Sequence, residues 1–326
     1  MCSTSLHPPV GVHDLPEELL ACIFSHLAPS DGSIDLDTLK SCSLAHSTFR
    51  EPAQKLLWEA VELETEDDVR QWTATRSRRR AAPKELALHA FKTRKGLARL
   101  LDGCDGLRWL MFATPNRDMD PAVLAHPSLH DLRTLIVQGW LHKPQPALVL
   151  PFRLHTLVLA DLYPGSPNFA AWLDVIAHSS LPSIRSISLP ACSAAAHPAV
   201  AAALAPFAPR LEHLGLSIAT RDDSTPYTAV LDAASSLNSL ECTSLPAILL
   251  AHLPLSLTVL ATTEDARSIP ADALRDVFER PNSKLQRLYF ACSRYEFLNE
   301  VEGGRAMVEA AGRRAVDWRF QGEAEE

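Results

Sequence analysis

Thirteen histidines and seven cysteines are the residues with which this chain could hold a metal or attack a carbonyl, and their spacing supports neither. A helical zinc site of the H-E-x-x-H kind needs two histidines one turn apart on one face, and no such pair occurs. The G-x-S-x-G elbow that would lift a nucleophilic serine out of a sheet is missing too. Gly303-Gly304 stands alone, so no glycine-rich loop could cradle a phosphate. The cysteines are Cys2, Cys22, Cys42, Cys104, Cys192, Cys242 and Cys292, odd in number and widely spaced. Without a C-x-x-C pair a zinc site is not expected, and their apolar surroundings suit buried free thiols in a reducing compartment. The pairs Asp67-Asp68 and Asp222-Asp223 lie in polar settings and read as solvated carboxylates. The expectation is a protein that is not an enzyme, with no catalytic residues, no metal and no cofactor.

Composition narrows the class further. A chain of 326 residues, 47% hydrophobic and 21% charged, has ordinary globular make-up and is long enough for two domains or one repeat array. A net charge of −8 argues against nucleic acid as partner, since such binding rests on neutralised phosphates. No apolar run reaches membrane-spanning length. The start, MCSTSLHPPV, lacks the charged and apolar regions of a signal peptide.

Elements must position whatever function remains, and the most informative stretch is Asp14 to Leu63. Asp14 with Glu17 makes a capping-box-like start, and Pro16 falls in the first turn, where its missing N–H costs nothing. Leu15, Leu19, Leu20, Ile23, Phe24 and Leu27 follow at helical spacing and form a broad apolar face. Pro29 to Gly32 break that helix. A second, capped by Asp35 or Asp37, carries Leu36, Leu39 and Cys42. Phe49 closes a short third segment, and Pro52 opens a last helix with Leu56, Leu57 and Trp58. About fifty residues of such helices make only a marginal core, and their apolar count leaves surface that must be covered by the rest of the chain or by a partner.

These residues resemble an F-box: Leu15-Pro16-x-Glu18-Leu19-Leu20-x-x-Ile23-Phe24-x-x-Leu27, then Asp35-Leu36-x-x-Leu39-x-x-Cys42, Phe49-Arg50 and Leu57-Trp58. Phe49-Arg50 stands where many F-boxes have Trp-Arg, and the loop from Ala28 to Ile34 is longer than in compact members. The resemblance implies a Skp-type adaptor as partner and, through it, a cullin scaffold. It places Leu15, Pro16, Leu19, Ile23, Leu27, Leu36, Leu39 and Cys42 against the adaptor.

After this stretch one pattern, L-x-x-L-x-L, keeps returning. It starts at Leu107, Leu132, Leu154, Ile184 and Leu211, and in weaker form at Leu237, Leu257 and Leu285. Glu85 to Leu88 looks like an earlier copy, Val61 to Leu63 a first and Val316 to Trp318 a last. The intervals fall in the leucine-rich-repeat range, one strand and one return per unit. One unit cannot bury its apolar face alone, so neighbours must stack and share it. Helical returns are expected at Pro121 to Ala125, Phe169 to Ile176, Pro198 to Leu204 and Ala271 to Phe278. Regular repeats carry Asn or Cys at the ninth position, and here only Cys192 fits, so no orderly ladder is expected there. The rival fold is an open parallel α/β sheet.

The expected fold class is therefore α/β: a short all-α F-box followed by an irregular leucine-rich-repeat-like solenoid of parallel strands and helices. The expected divisions are a disordered start at 1–12, the F-box at 13–60, the solenoid at 61–320 and an acidic tail at 321–326. Third, fifth and seventh residues of each unit should face the concave surface. There Trp109, Met111, Ile136 and Val158 form an apolar stripe, with Arg287 and Tyr289 in a later unit, and these are the candidates for binding a target protein. The run Arg76, Arg78, Arg79 and Arg80 reads as a polar helix and loop between the first two strands, or else as a nuclear-import or phosphate-binding patch. By resemblance the chain is a ligase adaptor of the cytoplasm or nucleus. The alternative is a repeat scaffold whose helices cap the solenoid, with the Leu15–Leu27 face packed on Val61 and Leu63.

Overall fold

The first, fourth and sixth residues of every L-x-x-L-x-L copy are apolar or small, so a strand that alternates sides would put them under one face of a sheet. In the computed structural model all of them are buried, from Leu107, Leu110 and Phe112 to Leu285, Leu288 and Phe290. The structure describes residues 19–20, 22–23, 36–79, 82–89, 94–119, 121–141, 143–145, 148–160, 168–219, 223–263 and 268–320.

Among the described residues eleven strands form one sheet in strict sequence order, every neighbouring pair parallel. They are β1 (Ala60–Leu63), β2 (Glu85–Leu88), β3 (Trp109–Met119), β4 (Thr134–Leu141), β5 (Thr156–Ala160), β6 (Ser186–Leu189), β7 (His213–Leu216), β8 (Ser239–Cys242), β9 (Val259–Thr262), β10 (Arg287–Phe290) and β11 (Asp317–Phe320). A doubly wound sheet would reverse its strand order at a switch point. This one never does, which makes the domain a solenoid. The copies at Val61, Glu85 and Val316 correspond to β1, β2 and β11.

The returns are uneven. Short 3₁₀ turns, Pro121–Ala125 and Pro127–Leu129, follow β3, whereas full helices Phe169–Ser180, His197–Leu204 and Ala271–Glu279 follow β5, β6 and β9. The helix Phe169–Ser180 buries Phe169, Trp172, Leu173 and Ile176. Ser180 at its end accepts the Leu154 N–H at 2.9 Å, and Ser183 donates to the Leu154 carbonyl at 2.7 Å. These bonds tie the end of one return to the start of the preceding strand. At the far end Phe290, Phe297, Trp318 and Phe320 stack with centroids 5.0 to 6.2 Å apart and cover the last core layer.

Ahead of the sheet stand α1 (Leu36–Ala45) and α2 (Ser47–Glu59). Sequence reasoning divided the second of these at Pro52. It is one helix, capped by the His46 ring accepting the Thr48 N–H at 3.2 Å, with Pro52 buried inside it. Pro52 is the sixth residue of the helix, past the free N–H groups of the first turn, and forfeits the backbone bond to Thr48. α2 runs straight into β1, and α3 (Glu66–Arg79) follows. Trp58 of α2 stacks on Trp72 of α3 with centroids 4.7 Å apart and joins the solenoid core. Thr65 and Asp68 cap α3 reciprocally at 2.8 and 3.1 Å. The Thr65 hydroxyl, donating at 2.8 Å, and then the Thr65 N–H hold the Asp68 carboxyl below its usual range. The arginine run from 76 falls on the last turn of α3 and the residues after it, with side chains outside the described set.

Gly215 marks the tightest spot on the open face. A Cβ there would stand 2.6 Å from Ser188 Oγ and 3.0 Å from its Cβ. Gly215→Ala is therefore expected to destabilise by about 1–3 kcal/mol, as overpacked sites do. Ser188→Gly in the same chain should recover most of the loss, and thermal melts of the single and double variants check this.

Candidate functional site

The helical unit has its own small core, separate from that of the solenoid: Leu20, Leu39 and Ala53, with Cys42, Phe49, Leu56 and Leu57 around them. Residues 19–20 and 22–23 are helical, and Leu20 alone of the apolar ones points inward. Leu19 and Ile23, four residues apart on one side, are 52% and 45% exposed. Exposed large apolar side chains in register on one helix side mark an interaction surface when they are contiguous.

One expected adaptor-facing residue is corrected. Leu39 is fully buried against Leu20 and Ala53, so it builds the unit's core instead of facing a partner. Cys42 is partly buried beside it. Leu36 opens α1, but its side chain lies outside the described residues, as do Leu15, Pro16 and Leu27. Leu44 went unselected by sequence and is 80% exposed. Its position about 140° round the helix from Leu39 carried that signal.

On the sheet, register decides which candidates meet. Glu85, Trp109, Thr134, Thr156, Ser186 and His213 are consecutive cross-strand neighbours, and so are Ala87, Met111, Ile136, Val158, Ser188 and Gly215. Trp109, Met111, Ile136 and Val158 therefore form one continuous, half-buried apolar patch over β3 to β5. Arg287 and Tyr289 lie five strands further along. There Arg319 of β11 stands over the Tyr289 ring at 5.8 Å and reaches Asp317 at 3.4 Å. The structure thus makes two separate groups of the six target-facing candidates.

Glu85 borders the apolar patch. Burial first, and the Glu59 carboxylate second, push its carboxyl above the usual range, against the pull of Lys84. A raised folded value means ionisation costs the folded state, so the associated stability is full in acid and lost as pH rises through the raised value. Glu85→Gln is expected to raise the melting temperature at neutral pH. The gain over wild type should vanish below the ordinary glutamate value of 4.5, and paired melts at the two pH values test this.

One group of potentially reactive side chains escaped sequence reasoning, because Tyr227 lies 30 residues beyond His197 along the chain. The His197 Nδ1 and Tyr227 hydroxyl are 2.9 Å apart, with the Cys192 sulfur 3.8 and 3.9 Å from them. All three are buried in the solenoid core. The arrangement satisfies buried polar atoms between adjacent repeats and offers no approach to a substrate. Cys192 is the ninth-position residue of its repeat, and this is where its thiol goes. Two repeats further on Thr243 bonds back to the repeat before it, its hydroxyl accepting the Ile218 N–H and donating to the Ile218 carbonyl, both at 2.8 Å. Among the described residues no group of three or more His, Cys, Asp or Glu could hold a metal ion. No described helix is long and apolar enough to cross a membrane.

A cleft of about 670 Å³ lies where α1 and α2 meet β1 and α3, lined by Lys40, Gln54, Trp58, Glu62, Asp68 and Gln71 among others, with no histidine or cysteine.

The F-box-like family model matches residues 12–64. Among solved structures, the leucine-rich repeat-containing protein LegL7 from Legionella pneumophila is similar at 13% identity, over 73% of this chain and 83% of that one, with a TM-score of 0.44. No curated protein matches the chain. The chain thus carries an F-box-like domain at residues 12–64, joined to an eleven-stranded, leucine-rich-repeat-like α/β solenoid.

Proposed function

We propose that this protein is the substrate-recognition adaptor of a Skp–cullin–F-box ubiquitin ligase. The observation that carries the reading is the coincidence of the F-box-like match with an outward apolar edge, Leu19 and Ile23, on a unit that already has its own core. Leu15, Pro16, Leu19, Ile23, Leu27, Leu36 and Cys42 face the Skp-type adaptor, and Leu39 holds their helices in place. The open face of the sheet receives a target protein, at the patch Trp109, Met111, Ile136 and Val158 and at the corner Arg287 and Tyr289. The chain performs no bond chemistry of its own. It raises the local concentration of target lysines beside the transferring enzyme, and tethering alone accounts for a large rate gain. The setting is the cytoplasm or nucleus, in keeping with free thiols at Cys104, Cys192, Cys242 and Cys292.

Co-expression of the full chain with a Skp-type adaptor and affinity capture tests the reading. Stoichiometric co-purification of the adaptor, with cullin joining when supplied, is expected. A soluble, folded chain that captures nothing would overturn it. The scaffold reading then takes its place, and one observation favours it: Trp58 packs α2 onto the solenoid through Trp72, so the helices also cap the repeat.

A further inference from the structure

One residue before each strand the chain crosses the rim of the sheet, and there the backbones form a ladder of their own. Arg108 donates its N–H to the Lys84 carbonyl at 2.7 Å, Arg133 to Arg108 at 2.8 Å, His155 to Arg133 at 2.7 Å and Arg185 to His155 at 2.9 Å. Five basic residues of successive repeats therefore stand in one row, about 4.8 Å apart, the spacing of neighbouring strands. The row is closed at both ends by acids in the same position. Lys84 pairs with Glu59 at 2.9 Å, and Arg185 with Glu212 at 3.6 Å. Between them Arg108, Arg133 and His155 are exposed, and among the described residues none of the three side chains has a hydrogen-bond or ion-pair partner. Like charges facing each other on neighbouring strands destabilise a sheet. Among the described residues no acid pairs with any of these three to offset that cost.

Its neighbours indicate what would compensate. The next positions inward are Trp109, Thr134 and Thr156, and beyond them lie Met111, Ile136 and Val158. We propose that Arg108, Arg133 and His155 bind an extended acidic segment of the target protein, whose carboxylates follow the rim while its apolar side chains pack on Met111, Ile136 and Val158. The proposal rests on the target-binding role assigned above to the open face, and it names the chemistry of that target. The donors are spread over three strands with no enclosed niche, which suits single charges along a segment more than one concentrated dianion. The overall negative charge disfavours nucleic acid, which needs a broad positive field.

The test uses the full chain co-purified with the Skp-type adaptor, and fluorescence anisotropy of a labelled peptide in which glutamates alternate with valines. Extended, that peptide carries carboxylates on one edge and valines on the other. It should bind with an affinity that falls as salt rises, and the glutamine-for-glutamate counterpart should bind at least about tenfold more weakly. Arg108→Glu with Arg133→Glu should cost about tenfold or more, whereas Arg305→Glu with Arg314→Glu, exposed on the last helix and the turn after it, should change nothing. Equal binding of the glutamine peptide, or an unchanged affinity in the rim variant, would overturn the proposal. So would binding only of a phosphoserine version, or displacement of the peptide by single-stranded DNA at equal charge. Adaptor capture is read in the same preparation. Capture without peptide binding rejects the acidic-segment inference alone, and peptide binding without capture rejects the ligase reading alone.

Discussion

Leu19→Asp combined with Ile23→Asp is expected to abolish capture of the Skp-type adaptor while leaving the melting temperature almost unchanged. Both side chains are about half exposed in the free chain, so little native packing depends on them. Burying the exposed half of each on docking is worth about half of the roughly 1.5–3 kcal/mol of a full side chain. Losing both therefore removes about 1.5–3 kcal/mol, at least about tenfold in affinity. The aspartates add the cost of desolvating an unpaired charge. Leu39→Ala gives the contrasting result. Leu39 is fully buried, so its truncation should cost about 2–5 kcal/mol of stability and weaken capture only through loosening of the helical unit. Titration calorimetry paired with thermal melts separates a lost contact from a lost fold.

The second large effect lies in the solenoid. Trp172 is among the largest fully buried side chains, held in the helix Phe169–Ser180 with Leu173 and Ile176. Trp172→Ala should destabilise by about 3–5 kcal/mol, a large part of a total that is usually only about 5–15 kcal/mol. Stacked repeats share stability mainly with their neighbours. The amides of β5 and β6 should accordingly lose exchange protection before those of β9 to β11, where the aromatic layer of Phe290, Phe297 and Trp318 is untouched. Uniform loss of protection along the whole sheet would show one cooperative unit instead.

The strands were readable in the sequence because burial demands leucine-like residues at fixed positions. That demand marks Leu107, Leu132 and their equivalents, and even the short copies at Val61 and Val316. The helical unit was readable in outline only. Periodicity puts Leu19, Leu20, Ile23 and Leu39 on apolar faces but cannot say which of them meet one another, and the packing takes Leu20 and Leu39 inward. Pro52 suggested a break because proline usually makes one, yet the helix runs through it. The basic rim was invisible for a related reason. Arg108, Arg133 and His155 are more than twenty residues apart in sequence, each an unremarkable polar residue in its own repeat. Only strand register makes them neighbours. The stacking of successive repeats likewise brings Tyr227 to Cys192 and His197.

Hydrogen exchange of the full chain, alone and saturated with purified Skp-type adaptor, tests the central claim most directly. The account predicts new protection confined to the F-box-like segment, centred on the helix bearing Leu19 and Ile23 and on α1, with the amides of β3 to β10 unchanged. Protection that appears on the sheet, or nowhere, would contradict it.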